Sequence, residues 1–497
     1  MRADDTVLFI YGRMTALHPR TPAQRTGLWL GTGLFLLLLA LPAPEGFTEP
    51  AWRTAALAAL MAVWWSTEAL PIPATAMLPL AAGPLLGIVP VERAGHGYGS
   101  STIYLILGGC LLALALERWQ LHRRIAYYIV ARAGSSARRL VFGVMAATAF
   151  LSMWVSNTST TLMMLPVAVS IAALVAPAHD QADRERRNFS TAIVLAVAYS
   201  ATIGGLATLI GTPTNALAVA FMEQTYGVRP SFAEWLVFGV PCTALMLAGA
   251  WWVLVAWTHP FHLPDIARAR DVIRAELGGL GPLTVPERRV AVIGVAAAVA
   301  WITSPWLKAV PGLDALSDMG IAMLAGLALF VVPSGVPNGG TLLHGEDIRR
   351  VPWDTLFLFG GGLALAALIQ DSGLSGNIGE LLAGIAGWPP LAVTAVVVLV
   401  VILWTEFTSN VATAATFMPI LAALATATGQ PALQLLAPAA MAASCAFMLP
   451  VGTAPNAIVY GSGRVGMRDL LRAGLWMNIL GWGVIIAVTA VVLPWLV

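Results

Sequence analysis

Long apolar runs are the feature that most constrains the fold of this chain. Several stretches of about 18 or more residues carry almost no charge, which is the length and composition of a transmembrane helix. The 497 residues are 58% hydrophobic and only 10% charged, whereas a soluble chain of this length would need far more charged surface. The runs are continuous rather than alternating, which excludes a β-barrel. The sequence therefore predicts an all-α polytopic membrane protein, since helices satisfy their own backbone groups in lipid.

The apolar runs predict about eleven crossings and two longer blocks. The blocks 140–178 and 389–428 each carry a proline near the middle, Pro166 and Pro419. We expect each block to enter and leave on one face of the membrane as a re-entrant hairpin. The predicted spans lie near 27–43, 51–69, 72–90, 101–117, 189–222, 234–258, 289–306, 316–333, 353–370, 432–460 and 470–496.

Arginine clusters predict the orientation. They occupy the connections 118–139, 184–187, 268–289 and 464–472. The positive-inside rule places these connections in the cytoplasm. The crossings then agree with the charges only if both long blocks are hairpins. This arrangement leaves segment 1–26 in the cytoplasm and the C-terminus outside.

Two polar segments indicate an internal repeat. "SNTSTTLMMLP" at 156–166 matches "SNVATAATFMP" at 409–419, and at the same spacing "TIYLILGG" at 102–109 matches "TLFLFGGG" at 355–362. A further pair is "GTPTN" at 211–215 and "GTAPN" at 452–456. The matched helices are an odd number of crossings apart, and the loop after the second, 371–388, has none of the arginines that follow the first. We therefore predict an inverted repeat, an architecture of secondary transporters.

The repeated polar segments lie where a lipid-facing helix would be apolar, so their hydroxyls and amides must face partners, water or ions. At a hairpin tip, helix-end N–H groups suit an anion, and free carbonyls suit a hard cation such as Na⁺. The prolines of the second motif pair break their own helices and free further groups. Alternatively, these side chains could join neighbouring helices by hydrogen bonds. That role gives no reason for the same motifs to recur in symmetry-related broken segments.

The repeated motifs contain no arginine or lysine. An anion would therefore be balanced by helix ends, amides and bound cations, which favours cotransport with Na⁺. Glu68 and Glu406 are ionisable groups at membrane depth. Proton relay is one interpretation of them, and polar pairing that fixes a helix break is the preferred one. We expect no organic cofactor and no nucleic-acid partner.

Five segments together resemble the divalent anion/sodium symporter family. They are "WWSTEALPIPATAMLPL" at 64–80, "SMWVSNTSTTLMMLP" at 152–166, "GGLATLIGTPTN" at 204–215, "TEFTSNVATAATFMPI" at 405–420 and "AFMLPVGTAPNAIVYGSG" at 446–463. The resemblance implies an elevator-type homodimer in a membrane, expected to be the bacterial inner membrane. It would carry small divalent anions together with Na⁺, and C4 dicarboxylates such as succinate, malate or fumarate are the expected substrates.

Several alternatives stay open at this point. On the same fold, the chain could be a sodium-independent dicarboxylate exchanger or a transporter of sulfate or citrate. A different class, a Na⁺/H⁺ antiporter or ion pump, would require essential carboxylates. An enzyme is disfavoured, since no His/Asp/Glu constellation accompanies the polar segments.

The resemblance also implies site residues. One sodium site would use Ser152, Ser156, Asn157 and Gly211, and the other Thr405, Thr408, Asn410 and Gly452. The anion would contact Ser156, Asn157, Thr158, Thr212, Ser409, Asn410, Val411 and Thr453. Val411 replaces a threonine of the fuller family pattern, which removes one hydroxyl while preserving shape, and it leaves the identity of the anion open.

The same resemblance divides the chain into a static scaffold and a moving transport block. The scaffold would consist of 27–139 and 289–388. The transport block would consist of 140–258 and 389–497, each part with a hairpin, a broken helix and one further span. Residues 259–288 would form a cytoplasmic amphipathic linker between them.

Overall fold

The computed structural model describes residues 20–134, 136–175, 184–263, 267–337, 339–381, 384 and 387–495. Most of the predicted N-terminal segment 1–26, and the ends of the blocks and linker that fall between these ranges, lie outside the described residues. Within them the regular structure is helical, apart from one isolated bridge between Pro333 and Thr341. The all-α prediction is confirmed for the described chain.

Eight helices in the described part are long and apolar enough to cross a membrane. The prediction of about eleven crossings therefore stays a prediction. The eight are Val91–Arg118, Asn157–Val175, Arg184–Gly205, Phe232–Thr258, Val285–Leu307, Trp353–Asp371, Asn410–Thr428 and Met467–Trp495, and the shorter apolar helices are Ile72–Leu85, Asp318–Val331, Pro390–Thr405 and Ala432–Ser444.

The third predicted span differs from the first two. Pro22–Ala40 and Glu49–Thr67 are continuous helices that occupy the predicted spans 27–43 and 51–69. The predicted span 72–90 consists instead of two short helices, Ile72–Ala76 and Leu78–Leu85. Its prolines explain the interruption, because each removes a backbone donor and restricts the residue before it.

The two matched helices of the repeat lie antiparallel. Ser101–Arg118 and Trp353–Asp371 have the same register in the sequence repeat. Gly97, just before the first helix, packs so closely on the second that an added Cβ would lie 2.6 Å from the backbone nitrogen of Ala364. At the other end, Arg118 pairs with Asp347, just before the second helix begins. The start of one helix therefore lies beside the later part of the other.

Each long apolar block is a pair of helices joined by a short turn. The first hairpin consists of Ala137–Ser152 and Asn157–Val175, and the second of Pro390–Thr405 and Asn410–Thr428. The polar segments therefore lie at the turns, as predicted, with Asn157 and Asn410 beginning the second helix of each pair.

Each hairpin packs against a helix that is interrupted at the second motif. Arg184–Gly205 stops before Pro213–Tyr226, and Ala432–Ser444 stops before Ala454–Gly461. A proline lies at the start of each restarting helix, where its missing N–H is tolerated. These two broken pairs, with the hairpins, enclose most of the fully buried residues.

The remaining helices connect or flank these units. Phe232–Trp252 continues as a π-helical segment, Val253–Thr258, and the last long helix is Met467–Val492. Within the predicted linker 259–288 the described residues form Ala267–Gly279. The other helical segments are Leu121–Ala131, Val285–Leu307, Asp318–Val331, Gly345–Arg350 and Leu374–Leu381.

Candidate functional site

The first hairpin tip places a hydroxyl beside an amide oxygen and a backbone carbonyl. Ser152 is fully buried, and its Oγ lies 2.7 Å from Asn157 Oδ1 and 2.6 Å from the carbonyl oxygen of Ala201. A hydroxyl has one proton, so it can donate to only one of these oxygens at a time. Three oxygens therefore converge where the hairpin meets the first broken pair.

The first helix break is held by an asparagine. Asn215 is fully buried, and its Nδ2 lies 3.1, 3.3 and 2.9 Å from the carbonyl oxygens of Gly205, Leu206 and Thr208. These carbonyls have lost their helical partners, and a side-chain amide can satisfy them. The Oδ1 of Asn215 has no hydrogen-bond partner within the described chain.

Gly205 and Gly211 allow the oxygens to approach. A Cβ added to Gly205 would lie 2.6 Å from Asn157 Oδ1 and 3.1 Å from the carbonyl oxygen of Gly211. A Cβ added to Gly211 would lie 2.5 Å from the carbonyl oxygen of Gly205. No side chain fits at either position, so the absence of one leaves a small space bordered by oxygen atoms.

The second half repeats this arrangement. Thr405 is fully buried, and its Oγ1 lies 2.9 Å from Asn410 Oδ1 and 2.7 Å from the carbonyl oxygen of Ala443. Asn456 Nδ2 donates to the carbonyl oxygens of Ala446 and Leu449 at 3.1 and 3.2 Å. Its Oδ1, like that of Asn215, is buried and has no partner among the described residues.

The amide of Asn410 faces other acceptors. Its Oδ1 lies 3.1 Å from the carbonyl oxygens of both Gly452 and Ala443 and 2.9 Å from Thr405 Oγ1. Turned by 180°, the amide would donate its N–H groups to the same oxygens. The turned orientation gives both ends of the amide a partner. The carbonyl oxygens of Gly452 and Ala443 and the hydroxyl of Thr405 converge there, and such oxygens are the ligands that hard cations prefer. The donor set therefore fits Na⁺ as a transported ion.

The hairpin tips also present hydroxyls to solvent. Ser156 and Thr158 are exposed, whereas Ser409 and Val411 are half-buried. The Ser156 hydroxyl accepts a hydrogen bond from the backbone N–H of Ser159 at 3.2 Å. Ser409 begins the equivalent helix without any such side-chain cap. The Ser409 hydroxyl is thus more available to a ligand than that of Ser156.

Ser444 joins the two halves. Its hydroxyl lies 2.7 Å from Thr214 Oγ1 and 3.4 Å from Thr212 Oγ1, both in the first break. Its carbonyl oxygen accepts from Asn410 Nδ2 at 3.4 Å. The helices Asn157–Val175 and Ala454–Gly461 pack against each other. The motifs of the first half are therefore brought together with those of the second.

Two further predicted site residues, Thr453 and Thr408, lie at the second break and in the second turn. Thr453 is buried and caps Ala454–Gly461 by accepting from the N–H of Asn456 at 3.3 Å. Thr408 lies in the second turn, where its hydroxyl bonds Thr413 at 2.6 Å. Sequence reasoning missed Ser444 and Thr214. No predicted motif contains Ser444, which ends its helix eight residues before the GTAPN motif at 452–456.

Glu406 holds the second break in place. Its buried carboxylate accepts from the backbone N–H groups of Phe447, Met448 and Leu449 at 2.8–3.1 Å and from Asn478 Nδ2 at 2.7 Å. The preferred interpretation of this residue, polar pairing that fixes the break, is confirmed. Glu68 is different: its exposed side chain makes no hydrogen bond within the described part of the chain, and it ends its helix with a φ of 49°.

Two adjoining cavities open beside the first hairpin, on the face that carries Arg118, Arg123 and Arg350, which we call the arginine-rich face. The larger has a volume of about 550 Å³ and reaches Ser159 near the hairpin tip. The second, of about 390 Å³, lies between Asn157–Val175, Leu121–Ala131 and the linker helix. The larger cavity thus extends from this face to within two residues of Asn157.

A family model described as "Sodium:sulfate symporter transmembrane region" matches residues 23–497. The chain belongs to the sodium:sulfate symporter family. This confirms the resemblance to the divalent anion/sodium symporters. Membership in the sodium:sulfate symporter family also confirms the predictions of an integral membrane transporter and of a protein that is not an enzyme.

Curated relatives support the membership along the whole chain. "Sodium-dependent dicarboxylate transporter SdcS" of Staphylococcus saprophyticus is 39% identical over 477 residues, which cover 95% of this chain and 92% of the relative. The protein of the same name from Staphylococcus aureus strain USA300 is 38% identical over 497 residues, covering 98% of this chain and 94% of the relative.

A solved structure has a similar fold. It is the YdaH transporter of Alcanivorax borkumensis, whose structure is described as having an unusual topology. The TM-score is 0.60 at 15% identity, and the match covers 90% of this chain and 99% of that one. At this identity the likeness concerns the fold alone.

Proposed function

We propose that this protein is a secondary active transporter that couples Na⁺ to the uptake of small divalent anions, with C4 dicarboxylates such as succinate, malate and fumarate as its substrates. The observation that carries the proposal is the duplicated cluster of hydroxyl, amide and carbonyl groups, in which Ser152 lies against Asn157 and Ala201, and Thr405 lies against Asn410 and Ala443. The printed name of the SdcS relatives, sodium-dependent dicarboxylate transporters, supports the same ion and substrate class.

Two sodium sites follow from the duplication. The first would use Ser152, Asn157 and Gly211, with Ser156 at its edge. The second would use Thr405, Asn410 and Gly452, with Thr408 in the adjoining turn. In both, oxygens from a hairpin and from a helix break must be present together, so the ion stabilises the contact between those two segments.

The anion site lies between the tips. Ser156, Asn157, Thr158, Ser409 and Asn410 supply donors from the hairpins, and Thr212 and Thr453 begin the restarting helices. No arginine or lysine hydrogen-bonds any of these side chains in the described ranges. Helix N-termini and bound Na⁺ would then provide the positive field for a dianion. Each excess positive charge carried inward gains about 2.3 kcal/mol per 100 mV.

We further propose an inverted repeat with re-entrant hairpins, a cytoplasmic N-terminus and an external C-terminus. The antiparallel matched helices support the inverted repeat, and the arginines of the arginine-rich face support this orientation. A scaffold of 27–139 and 289–388 would hold a moving block of 140–258 and 389–497, as in an elevator. The scaffold face with exposed Val292, Val295 and Val299 would contact lipid or a second copy in a homodimer of the bacterial inner membrane.

Purified protein in proteoliposomes provides the test. Uptake of labelled succinate would be measured with an inward Na⁺ gradient and with choline instead, with unlabelled malate, fumarate, citrate, α-ketoglutarate and sulfate as competitors. Symport predicts uptake that requires Na⁺ and no internal substrate. Uptake that ignores Na⁺ but requires internal succinate would instead establish an exchanger, and strongest competition by sulfate or citrate would change the substrate assignment.

Glu406 changes how the antiporter alternative is tested. Loss of activity in Glu406→Gln would not indicate a proton-coupled carboxylate, because the structure gives this side chain a role in fixing the break. The luminal pH of Na⁺-loaded proteoliposomes without any dicarboxylate is the better probe: antiport exchanges internal Na⁺ for external H⁺ and acidifies the lumen, whereas symport leaves the luminal pH unchanged.

A further inference from the structure

The transport block bonds the scaffold on one face of the molecule, and on the other face a cavity lies between parts of the two. On the arginine-rich face, the cavity of about 550 Å³ lies between Ser159 of the block and Arg118 and Arg350 of the scaffold. On the opposite face, the carboxylate of Glu223 accepts from Ser101 Oγ at 3.1–3.2 Å and from Thr102 Oγ1 at 3.3 Å. The structure is therefore open on one face and closed on the other.

Arg229 completes the closed contact. Its Nη1 donates to Ser101 Oγ at 2.9 Å and lies 3.3 Å from Glu223 Oε1. Nearby, Gln224 Nε2 donates to the carbonyl oxygen of Leu363 in the scaffold at 2.8 Å. These groups belong to the end of Pro213–Tyr226 and the connection after it, so this connection forms a latch between block and scaffold.

The repeat assigns a counterpart to each side of this latch. Arg229 lies two residues before Ser231, the N-cap of Phe232–Trp252, and Arg464 lies two residues before Gly466, the N-cap of Met467–Val492. Both long helices carry a capping acid at the same position, Glu234 and Asp469. In the scaffold, Ser101 directly precedes "TIYLILGG", and Asp354 directly precedes "TLFLFGGG".

We infer that Arg464 pairs with Asp354 when the transporter is in its opposite state. The inference rests on the proposed function, because in an inverted repeat the two halves exchange roles as access alternates. The side chains of Arg464 and Asp354 form no hydrogen bond or ion pair within the described chain, and Asp354 is exposed. Their charges are opposite.

In the proposed topology both residues lie on the side of the membrane that carries the open face. Asp354 follows Arg350, which bonds Glu117 at the arginine-rich end of Ser101–Arg118. Arg464 precedes the helix whose Asp469 contacts His259, near Arg138 and His262. Closing the cavity would move the connection 462–466 toward the start of Trp353–Asp371. The pair replaces the Glu223–Arg229–Ser101 latch as that latch opens.

Thiol cross-linking tests the inference. In a background with Cys110, Cys242 and Cys445 replaced by serine, the variants Asp354→Cys/Arg464→Cys and Ser101→Cys/Glu223→Cys would be treated with a short bifunctional methanethiosulfonate, which joins the two thiols through disulfides that dithiothreitol cleaves. We expect both pairs to cross-link and each cross-link to stop uptake until it is reduced. The control pair Asp354→Cys/Arg468→Cys should react at least about fivefold less.

Charge exchange provides a second measurement. An exposed ion pair shifts a two-state equilibrium about two- to fivefold, so Asp354→Arg should slow uptake by about that factor and Asp354→Arg/Arg464→Asp should restore it. Absence of the 354–464 cross-link in a background that retains Na⁺-dependent uptake would overturn the inference alone. A background that cross-links at both pairs but shows no Na⁺-dependent uptake would overturn the proposed function instead.

Discussion

Replacing Thr405 by valine removes one hydroxyl from the second oxygen cluster without changing the shape of the side chain. Thr405 is fully buried, and its Oγ1 lies 2.9 Å from Asn410 Oδ1 and 2.7 Å from the carbonyl oxygen of Ala443. Valine keeps both branches at Cβ, so packing is preserved. The change therefore acts on the polar atoms alone.

The magnitude follows from the hydrogen bonds. A typical hydrogen bond contributes about 1 kcal/mol, and a buried acceptor left without a partner costs about 1–3 kcal/mol. A net loss of about 1–2 kcal/mol corresponds to a factor of about 5–30 in an equilibrium constant. We expect the Na⁺ concentration that gives half-maximal uptake to rise by this factor in Thr405→Val.

The assay is succinate uptake into proteoliposomes at saturating succinate, with Na⁺ varied against choline. Thr405→Ser is the matched control, since it keeps the hydroxyl and loses a methyl group, and its Na⁺ dependence should stay within about twofold of the wild type. Gel filtration verifies that both variants are folded. An identical Na⁺ dependence for Thr405→Val and Thr405→Ser would refute the assignment of this oxygen cluster to sodium.

Five further substitutions and one control test the rest of the site. Asn157→Ala and Asn410→Ala should each abolish Na⁺-dependent uptake while gel filtration shows a folded protein, and normal uptake in either would contradict the site assignment. Val411→Thr should change the order of inhibition among succinate, citrate and sulfate, because it adds a hydroxyl beside Ser409. Glu406→Gln should lower the free energy of unfolding by about 3 kcal/mol, measured in detergent, because its amide N–H₂ would face backbone donors. Gly205→Ala should raise the Na⁺ concentration that gives half-maximal uptake, because its Cβ would lie 2.6 Å from Asn157 Oδ1. The control Gly33→Ala, with nothing within 4 Å of the added Cβ, should leave uptake unchanged.

The repeat made the centre of the molecule predictable from the sequence. Polar residues and prolines in apolar segments have few structural explanations, and their duplication placed the turns at Asn157 and Asn410 and the breaks before Pro213 and Ala454. The hydroxyl–amide contacts of Ser152 and Thr405 were expected only through the family resemblance, because a five-residue separation across a turn has no periodic signature.

The partners contributed by distant segments were not predictable. Ser444 meets Thr214 across the two halves. Thr214 lies within the GTPTN motif, but Ser444 does not stand out from the many serines and threonines that bond their own helix backbone. The latch of Glu223 and Arg229 on Ser101 likewise depends on how the block sits against the scaffold. Periodicity reports which face of a helix is apolar, but it contains no information on which other helix that face meets.

The two halves reach the same oxygen geometry through different supports, and both supports begin at the residue that directly follows the first hairpin helix. In the first half, the carbonyl oxygen of Met153 accepts from Thr208 Oγ1 at 2.6 Å, and that hydroxyl accepts from the N–H of Gly211. In the second half, the carboxylate of Glu406 accepts from the break directly. Because each cluster draws oxygens from both a hairpin and a break, a turn that moved independently of its break would separate the ligands. Both halves therefore require a rigid link between the turn and the break, whichever side chain supplies it.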